Sequence, residues 1–265
     1  GIRGRFGADP ISPAFALKVG LAAGQVLGAG QTVVMGRDTR ASGPVLKAAL
    51  EAGLLASGLN VVRLGVLPTP GIAHLGRALG AVASIVVSAS HNPHDDNGIK
   101  FFNGDGRKLP DALQSRINAA LGGELPVATR LGETSRMADA AGRYVEFCKS
   151  SFPNELDLRG LKIALDCANG AAYMVAPKVF HELGAELVLV GAEPNGLNIN
   201  EGVGATAPQS VRKAVLDSGA DLGIALDGDG DRIVMVDADG EIYDGDKLLY
   251  VIAKASRLAG RADGV

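Results

Sequence analysis

Aromatic residues and cysteines are scarce in this sequence, and tryptophan is absent. Only 4% of the 265 residues are aromatic, and the two cysteines are Cys148 and Cys167. Two distant cysteines favour a reducing compartment over a disulfide framework or a zinc site. With few aromatic side chains there is no stacking platform for single-stranded nucleic acid. A net charge of −3 without a basic stripe argues against nucleic-acid binding in general.

The sequence also lacks a signal peptide and a long hydrophobic run. No apolar stretch approaches the length of about 18 residues that predicts a membrane span. We therefore expect a cytoplasmic protein that binds neither a membrane nor nucleic acid. The chain begins in mid-pattern at Gly1 and ends just after a helical segment at Val265, so we expect it to be part of a longer protein.

Hydrophobic residues (47%) and 37 glycines are abundant, and short apolar runs alternate with stretches of helical periodicity. The predicted strands are residues 32–35, 60–64, 82–87, 161–166, 186–190 and 222–226, with a hairpin at 233–243. The predicted helices are 44–57, 71–79, 110–121, 138–149, 172–183, 208–218 and 246–257. This pattern predicts two consecutive α/β domains, residues 1–150 and 151–265, each a mixed or mostly parallel sheet flanked by helices.

Three carboxylates follow the predicted strand at 222–226, where residues 227–232 read Asp-Gly-Asp-Gly-Asp-Arg. In an extended segment Asp227, Asp229 and Asp231 face one side, and glycines between them let the loop curl. All-oxygen ligands suit a hard cation, and Mg²⁺ fits better than Ca²⁺. An EF-hand is disfavoured because its sixth and twelfth positions would be Arg232 and Ala238. The alternative is a polar turn without a metal.

A serine loop follows the strand at 82–87, where residues 88–93 read Ser-Ala-Ser-His-Asn-Pro. In α/β sheets ligands gather at the carboxyl ends of strands, so a cleft between the domains can bring this loop to the aspartates. Ser90 is the candidate phosphoryl carrier, and Ser88 is its rival. His91 is either a general base, a hydrogen-bond partner of the phosphate or a structural residue. A loop serine that only bonds its own turn is the alternative.

A phosphoserine beside three aspartates needs cations, and Arg3, Lys100 and Arg232 lie next to the motifs. A separate segment, residues 40–43, reads Arg-Ala-Ser-Gly before a predicted helix. Such a segment either binds an anion at the helix N-terminus or caps the helix, and we favour the cap.

In combination, these motifs resemble the α-D-phosphohexomutase family. The matching segments are residues 1–4, 88–93, 97–102, 166–171, 194–200 and 227–232. The Gly-Ile-Lys-Phe-Phe continuation at residues 98–102 favours the glucosamine branch over the mannose or glucose mutases. The resemblance covers the whole chain.

The resemblance implies an isomerase that interconverts glucosamine 6-phosphate and glucosamine 1-phosphate for amino-sugar nucleotide and cell-wall precursor synthesis. Ser90 would be the phosphoserine, and its phosphate would share Mg²⁺ with the three aspartates. Arg3, Lys100 and Arg232 would neutralise the phosphoryl group, with Lys100 and His91 as proton carriers. The phosphoryl group would pass to the sugar, and the resulting bisphosphate would reorient and return its other phosphate.

The resemblance also implies what this chain does not contain. Family members have four domains, and the sugar-binding Glu-x-Ser-Gly-His loop of the third and the phosphate-binding loop of the fourth are not found here. We expect the first two domains, with domains III and IV absent and an apolar face open to solvent or to another copy in a homodimer. Alternatives are a mannose or glucose mutase, a phosphotransferase with an aspartyl nucleophile, and a non-catalytic module that binds metal and phosphate.

Overall fold

The computed structural model describes residues 2–258 and 260. Its first sheet has six strands: β1 (Ile2–Arg5), β2 (Thr32–Arg37), β3 (Asn60–Val66), β4 (Ala83–Val87), β5 (Asp96–Asn103) and β6 (Thr134–Arg136). They lie in the order β1-β5-β4-β2-β3-β6. Strands β4, β2, β3 and β6 run parallel, whereas β5 is antiparallel to both of its neighbours. The first sheet is therefore mixed.

Helices cover both faces of this sheet. They are α1 (Pro13–Leu27), α2 (Gly43–Ala56), α3 (Thr69–Ala78), α4 (Asp111–Leu121) and α5 (Ala140–Ser150). The core on one face joins α1, α2 and α4 to the sheet, and the core on the other face joins α3 and α5 to it. All five residues of β4 are buried, because both layers of helices cover this central strand.

The second sheet has five strands: β7 (Lys162–Asp166), β8 (Glu186–Val190), β9 (Leu222–Leu226), β10 (Ile233–Asp237) and β11 (Ile242–Tyr243). Their order is β11-β10-β9-β7-β8, with β9, β7 and β8 parallel and β10 and β11 antiparallel. Helices α6 (Ala176–Glu182) and α7 (Gln209–Ser218) pack on opposite faces, and α8 (Gly245–Leu258) follows. The predicted fold of two α/β units with mixed sheets is confirmed.

Several elements differ from the sequence-based prediction. Strands β1, β5 and β6 and helix α1 were not predicted, although Ser12 and Pro13 give α1 a recognisable start. The Ser12 hydroxyl accepts a hydrogen bond from Phe15 N at 3.2 Å. The helix predicted at 172–183 was wrong in its first turn, because α6 begins only at Ala176. The preceding backbone passes through left-handed conformations and forms turns against the second sheet's loops.

The predicted division at residues 150 and 151 falls in the connection between α5 and β7, and it stays a prediction. Helix α5 packs against the first sheet's core and also meets α6, where Lys149 bonds Glu182 at 2.5 Å. Among residues 2–258 and 260, no helix is both long enough and apolar enough to span a bilayer.

Helices α1 and α2 cross at two glycines, which yields a stability prediction. A Cβ on Gly53 would lie 2.2 Å from Leu17 O, so the helix backbones would have to separate. We expect Gly53→Ala to lower the free energy of unfolding by about 1–3 kcal/mol. Gly142→Ala in α5 is the matched control, because a Cβ there meets nothing within 4 Å. The control should be neutral or slightly stabilising.

The measurement is urea unfolding followed by circular dichroism, since the chain has no tryptophan. Equal midpoints for Gly53→Ala and the unsubstituted chain would contradict the close crossing of α1 and α2.

Candidate functional site

The candidate site lies where the two sheets face each other through their loops. Strand β4 ends at Val87 and delivers the serine loop, and β9 ends at Leu226 and delivers the aspartate loop. The Ser90 hydroxyl donates a hydrogen bond of 2.7 Å to Asp227 Oδ2. Two motifs 137 residues apart in sequence are thus in direct contact.

Ser90 has an unusual backbone conformation. Its φ is 54°, in the left-handed region that non-glycine residues seldom adopt, and it is 2% exposed. Its backbone N–H donates to Ser88 Oγ at 2.9 Å. Of the two serines, Ser90 therefore presents its hydroxyl to an aspartate, while Ser88 supports the backbone of Ser90.

A buried arginine holds this loop. The Arg40 and Asp38 side chains are both fully buried and form an ion pair. Burial raises the pKa of Asp38, and the charge of Arg40 opposes that rise. Arg40 Nη2 also donates to the carbonyl oxygens of Ser90 at 3.2 Å and Asn92 at 2.5 Å. Arg40 thus binds protein carbonyls, and Ser42 makes no side-chain capping bond, so residues 40–43 have a structural role other than the favoured cap.

The three predicted carboxylates converge. One oxygen from each of Asp227, Asp229 and Asp231 lies within 4.8 Å of the other two. Lys100 Nζ lies 2.6 Å from Asp229 Oδ2, which also accepts a hydrogen bond of 2.5 Å from Thr69 Oγ1. The other oxygen, Asp229 Oδ1, is buried without a hydrogen-bond partner. A buried carboxylate oxygen in that state is a ready cation ligand.

The pKa values of the carboxylates reflect crowded negative charge. Burial and then the charge of Asp229 raise the pKa of Asp227. Burial, followed by the charges of Asp229 and Asp227, raises the pKa of Asp231 to about 6. Burial also acts to raise the pKa of Asp229, but the charge of Lys100 and hydrogen bonds from Lys100 and Thr69 outweigh it and lower the pKa. Lys100 alone does not neutralise the cluster, and an oxygen-ligated divalent cation such as Mg²⁺ fits it.

The remaining candidate residues surround the same loop. Arg3 Nη1 donates to Asn92 Oδ1 at 3.2 Å, and the Arg232 backbone N–H donates to Asp227 Oδ1 at 3.2 Å. His91 Nδ1 lies 3.4 Å from Ser90 Oγ. Partial burial and then the positive charges of Arg232 and Arg3 lower the pKa of His91, which favours its neutral form. A neutral imidazole at this distance can accept a proton.

Two family models match consecutive parts of the chain. Residues 1–125 match "phosphoglucomutase/phosphomannomutase, alpha/beta/alpha domain I", and residues 142–240 match domain II of the same family. This chain belongs to the phosphoglucomutase/phosphomannomutase family. The resemblance to phosphohexomutases drawn from the motifs is therefore confirmed.

Individual relatives support the same assignment. A phosphoglucosamine mutase of Azoarcus sp. (strain BH72) is 60% identical and one of Chromobacterium violaceum is 58% identical. Each match covers 100% of this chain and 61% of the relative, so the chain spans about three fifths of their length. A solved phosphoglucomutase/phosphomannomutase family protein from Burkholderia thailandensis superimposes with a TM-score of 0.83 at 30% identity, over 97% of this chain and 58% of that one.

Within this family fold, sequence reasoning missed the contacts of three residues that shape the site. They are Arg40, Thr69 and Asn200. Thr69 lies just before the helix predicted at 71–79, and it bonds Asp229 through both its hydroxyl and its backbone N–H. Gly228 permits the closest approach of the two loops, because a Cβ there would lie 2.5 Å from Ser90 O. Arg40 and Thr69 could have been found from their positions shortly after a strand and at a helix start, whereas Asn200 lies in the middle of the loop between β8 and α7 and carries no such signal.

The carboxylate cluster predicts a metal-binding measurement. Asp229→Asn should weaken Mg²⁺ binding by about tenfold or more, because it removes a buried negative ligand. Asp239→Asn is the matched control, since Asp239 lies in the exposed turn between β10 and β11 and loses the same charge. Isothermal titration calorimetry measures both variants. Equal affinities of the Asp229 variant and the unsubstituted chain would refute the metal assignment.

The raised pKa of Asp231 predicts a pH dependence of the same binding. Mg²⁺ competes with the proton for this carboxylate, whose pKa is about 6. Affinity should therefore be nearly constant above pH 7 and fall as the pH drops through 6. In Asp231→Asn the drop between pH 7 and pH 5 should be smaller. A pH-independent affinity over that range would show that Asp231 is not a ligand.

Proposed function

We propose that this chain supplies the phosphoserine and Mg²⁺-binding half of a phosphoglucosamine mutase. That enzyme would interconvert glucosamine 6-phosphate and glucosamine 1-phosphate through a bisphosphate. The contact of 2.7 Å between Ser90 Oγ and Asp227 Oδ2 carries the proposal, because it joins a nucleophile to a cation site. Relatives that bear this name at 55–60% identity support the choice of substrate.

In this proposal the chain's own groups prepare Ser90 for phosphorylation. Asp227, Asp229 and Asp231 would hold Mg²⁺ together with an oxygen of the Ser90 phosphate. Bound Mg²⁺ would supply Lewis-acid stabilisation of the charge on the transferring phosphoryl group. Lys100, Arg3 and Arg232 add positive charge around a phosphoserine of about −1.5 to −2. The left-handed backbone of Ser90 directs its hydroxyl to the cluster.

The group transfer balances with residues already at the site. The P–Oγ bond of phosphoserine breaks as a sugar hydroxyl oxygen bonds to phosphorus, and the hydroxyl proton passes by way of His91 Nδ1 to the released Ser90 Oγ. In the return step Ser90 Oγ bonds to the phosphorus of the other phosphate as the bond from that phosphorus to the sugar oxygen breaks, and the Ser90 hydroxyl proton passes by way of His91 to that sugar oxygen. His91 is favoured for this role by its lowered pKa and its distance of 3.4 Å from Ser90 Oγ.

Recognition of the sugar would fall largely to the parts of the relatives that this chain does not match. In support, α8 presents a set of large apolar side chains that are more than half exposed: Leu249, Tyr250, Val251, Ile252 and Leu258. Such a surface suits coverage by further domains or by a second copy of the chain.

The free cysteines Cys148 and Cys167 agree with a reducing compartment such as the cytoplasm.

Mass spectrometry can test whether Ser90 is the residue that carries the phosphoryl group. Treatment of a full-length protein containing this chain with a sugar bisphosphate should add one phosphate, mapped to Ser90. Ser90→Ala should abolish both the phosphate and steady-state turnover, because the Ser90 hydroxyl is the group of the serine loop that bonds Asp227. Ser88→Ala should still accept phosphate, although more slowly. Phosphate on Ser88 or on an aspartate would reject Ser90 as the carrier and, for an aspartate, favour a different phosphotransferase.

If sugar recognition lies outside this chain, the activity of the 265-residue chain can be predicted. It should bind Mg²⁺ but interconvert the glucosamine phosphates far more slowly than a full-length protein, since substrate positioning can supply about 7–11 kcal/mol. A coupled mutase assay compares the two proteins, with glucose and mannose phosphates as parallel substrates. Comparable turnover of the 265-residue chain and the full-length protein would show that the substrate-binding residues lie within these two domains. Preference for glucose or mannose phosphates would reassign the substrate.

A further inference from the structure

Asn200 crosses from the second unit to the serine loop. It lies in the loop between β8 and α7, and its Nδ2 donates to the carbonyl oxygens of Ser90 and Asn92, each at 3.0 Å. Arg40 donates to the same two carbonyls from the first unit. The serine loop is thus held from both sides by four hydrogen bonds. One of these oxygens belongs to Ser90, whose hydroxyl bonds Asp227, and the other lies two residues further along the loop.

Asn200 also touches the aspartate loop. Its Nδ2 would lie 2.7 Å from a Cβ on Gly228, so it packs against the glycine between Asp227 and Asp229. One side chain is therefore in contact with both motifs of the site. Its own backbone has a φ of 59°, a left-handed conformation that asparagine tolerates better than most residues.

The loop that carries Asn200 is anchored at several points. Asn200 N–H donates to Ala168 O at 2.9 Å, and Gly204 N–H donates to the buried Asp166 Oδ2 at 2.7 Å. On the other side, Ala41 N–H donates to Gly196 O at 2.9 Å, next to the buried Arg40. These bonds fix the position of Asn200 relative to the second sheet. Through its own hydrogen bonds, Asn200 then constrains the position of the serine loop.

Ser90 needs such support. A left-handed conformation costs a non-glycine residue about 1 kcal/mol or more, and it persists only when its surroundings determine it. Arg40 alone would hold the two carbonyls from one side. The Asn200 amide adds two bonds that exist only when the two units are docked.

We propose that Asn200 is a positioning residue that keeps Ser90 in its left-handed conformation and so aims the serine hydroxyl at the aspartates. The effect on phosphoryl transfer rests on the proposed function, but the effect on the loop does not. Docking of the second unit therefore does more than bring the aspartates close: it sets the geometry of the nucleophile itself. Asn200 touches no reacting atom.

Two variants distinguish the effect of the Asn200 side-chain amide from the effect of its left-handed backbone conformation. Asn200→Gly removes the amide and adopts a φ of 59° without strain. Asn200→Asp keeps the shape but replaces the donor with an oxygen that faces two carbonyls. Asn195→Ala is the control, because Asn195 lies in the same loop and its side chain accepts from Leu197 N, away from the serine loop.

Hydrogen exchange measured by mass spectrometry on the 265-residue chain reads out the loop. Both Asn200 variants should raise the exchange rate of the peptide covering residues 88–95 by about tenfold or more, and that of residues 162–166 should not change. Asn195→Ala should leave both peptides unchanged. Unchanged exchange at 88–95 in Asn200→Gly would overturn the proposal, as would an equal increase in both peptides.

Turnover of a full-length protein gives the second readout. Asn200→Gly should lower kcat by about tenfold or more with a much smaller change in KM, because the sugar would bind normally to a misdirected nucleophile. A change in KM alone would overturn the positioning role. If the unsubstituted protein shows no phosphoryl transfer while the exchange contrast holds, the proposed function fails and the positioning of Ser90 by Asn200 stands.

Discussion

The buried guanidinium of Arg40 is the interaction on which the rest of the site depends. It is fully buried with Asp38 and bonds the carbonyl oxygens of a loop that has left the sheet. Without that cation the loop's carbonyls would lose several donors in a water-poor region, and Asp38 would be an unpaired buried charge. The left-handed Ser90 backbone is supported by these bonds together with those that Asn200 makes to the same carbonyls. A charged residue that never reaches solvent thus shapes the loop of Ser90, the proposed nucleophile.

The aspartate loop differs from the Arg40–Asp38 pair, because its charges are not balanced. Its three carboxylates are close together, with Asp227 and Asp229 buried and Asp231 more exposed, and the ammonium of Lys100 offsets only part of their charge. The pKa values of Asp227 and Asp231 are raised for that reason, and an oxygen of Asp229 lies buried without a donor. Such a cluster is poorly suited to stabilise the fold by itself. It is well suited to a divalent cation and a phosphate, which would complete its charge balance.

Close backbone approach lets these two regions meet. A Cβ on Gly228 would collide with the carbonyl oxygen of Ser90, and a Cβ on Gly170, in a neighbouring loop of the second unit, would collide with the carbonyl oxygen of Gly228. Thr69 binds the aspartate loop through two atoms, and Asn200 binds the serine loop in the reverse direction. Each unit therefore contributes bonds to the loop of the other. Because each unit holds the loop of the other, the geometry of the site forms only when the two α/β units are docked.

The sequence by itself determined the two-block α/β alternation, and it singled out Ser90, Asp227, Asp229 and Asp231, whose chemical roles stay predictions. These follow from local periodicity and from carboxylate spacing, which need no tertiary information. Tertiary structure decided the choice between Ser88 and Ser90, the internal role of Arg40, and the contacts of Thr69 and Asn200. Those outcomes depend on hydrogen bonds between residues 50–160 positions apart, and no local pattern encodes which donor a folded carbonyl will meet.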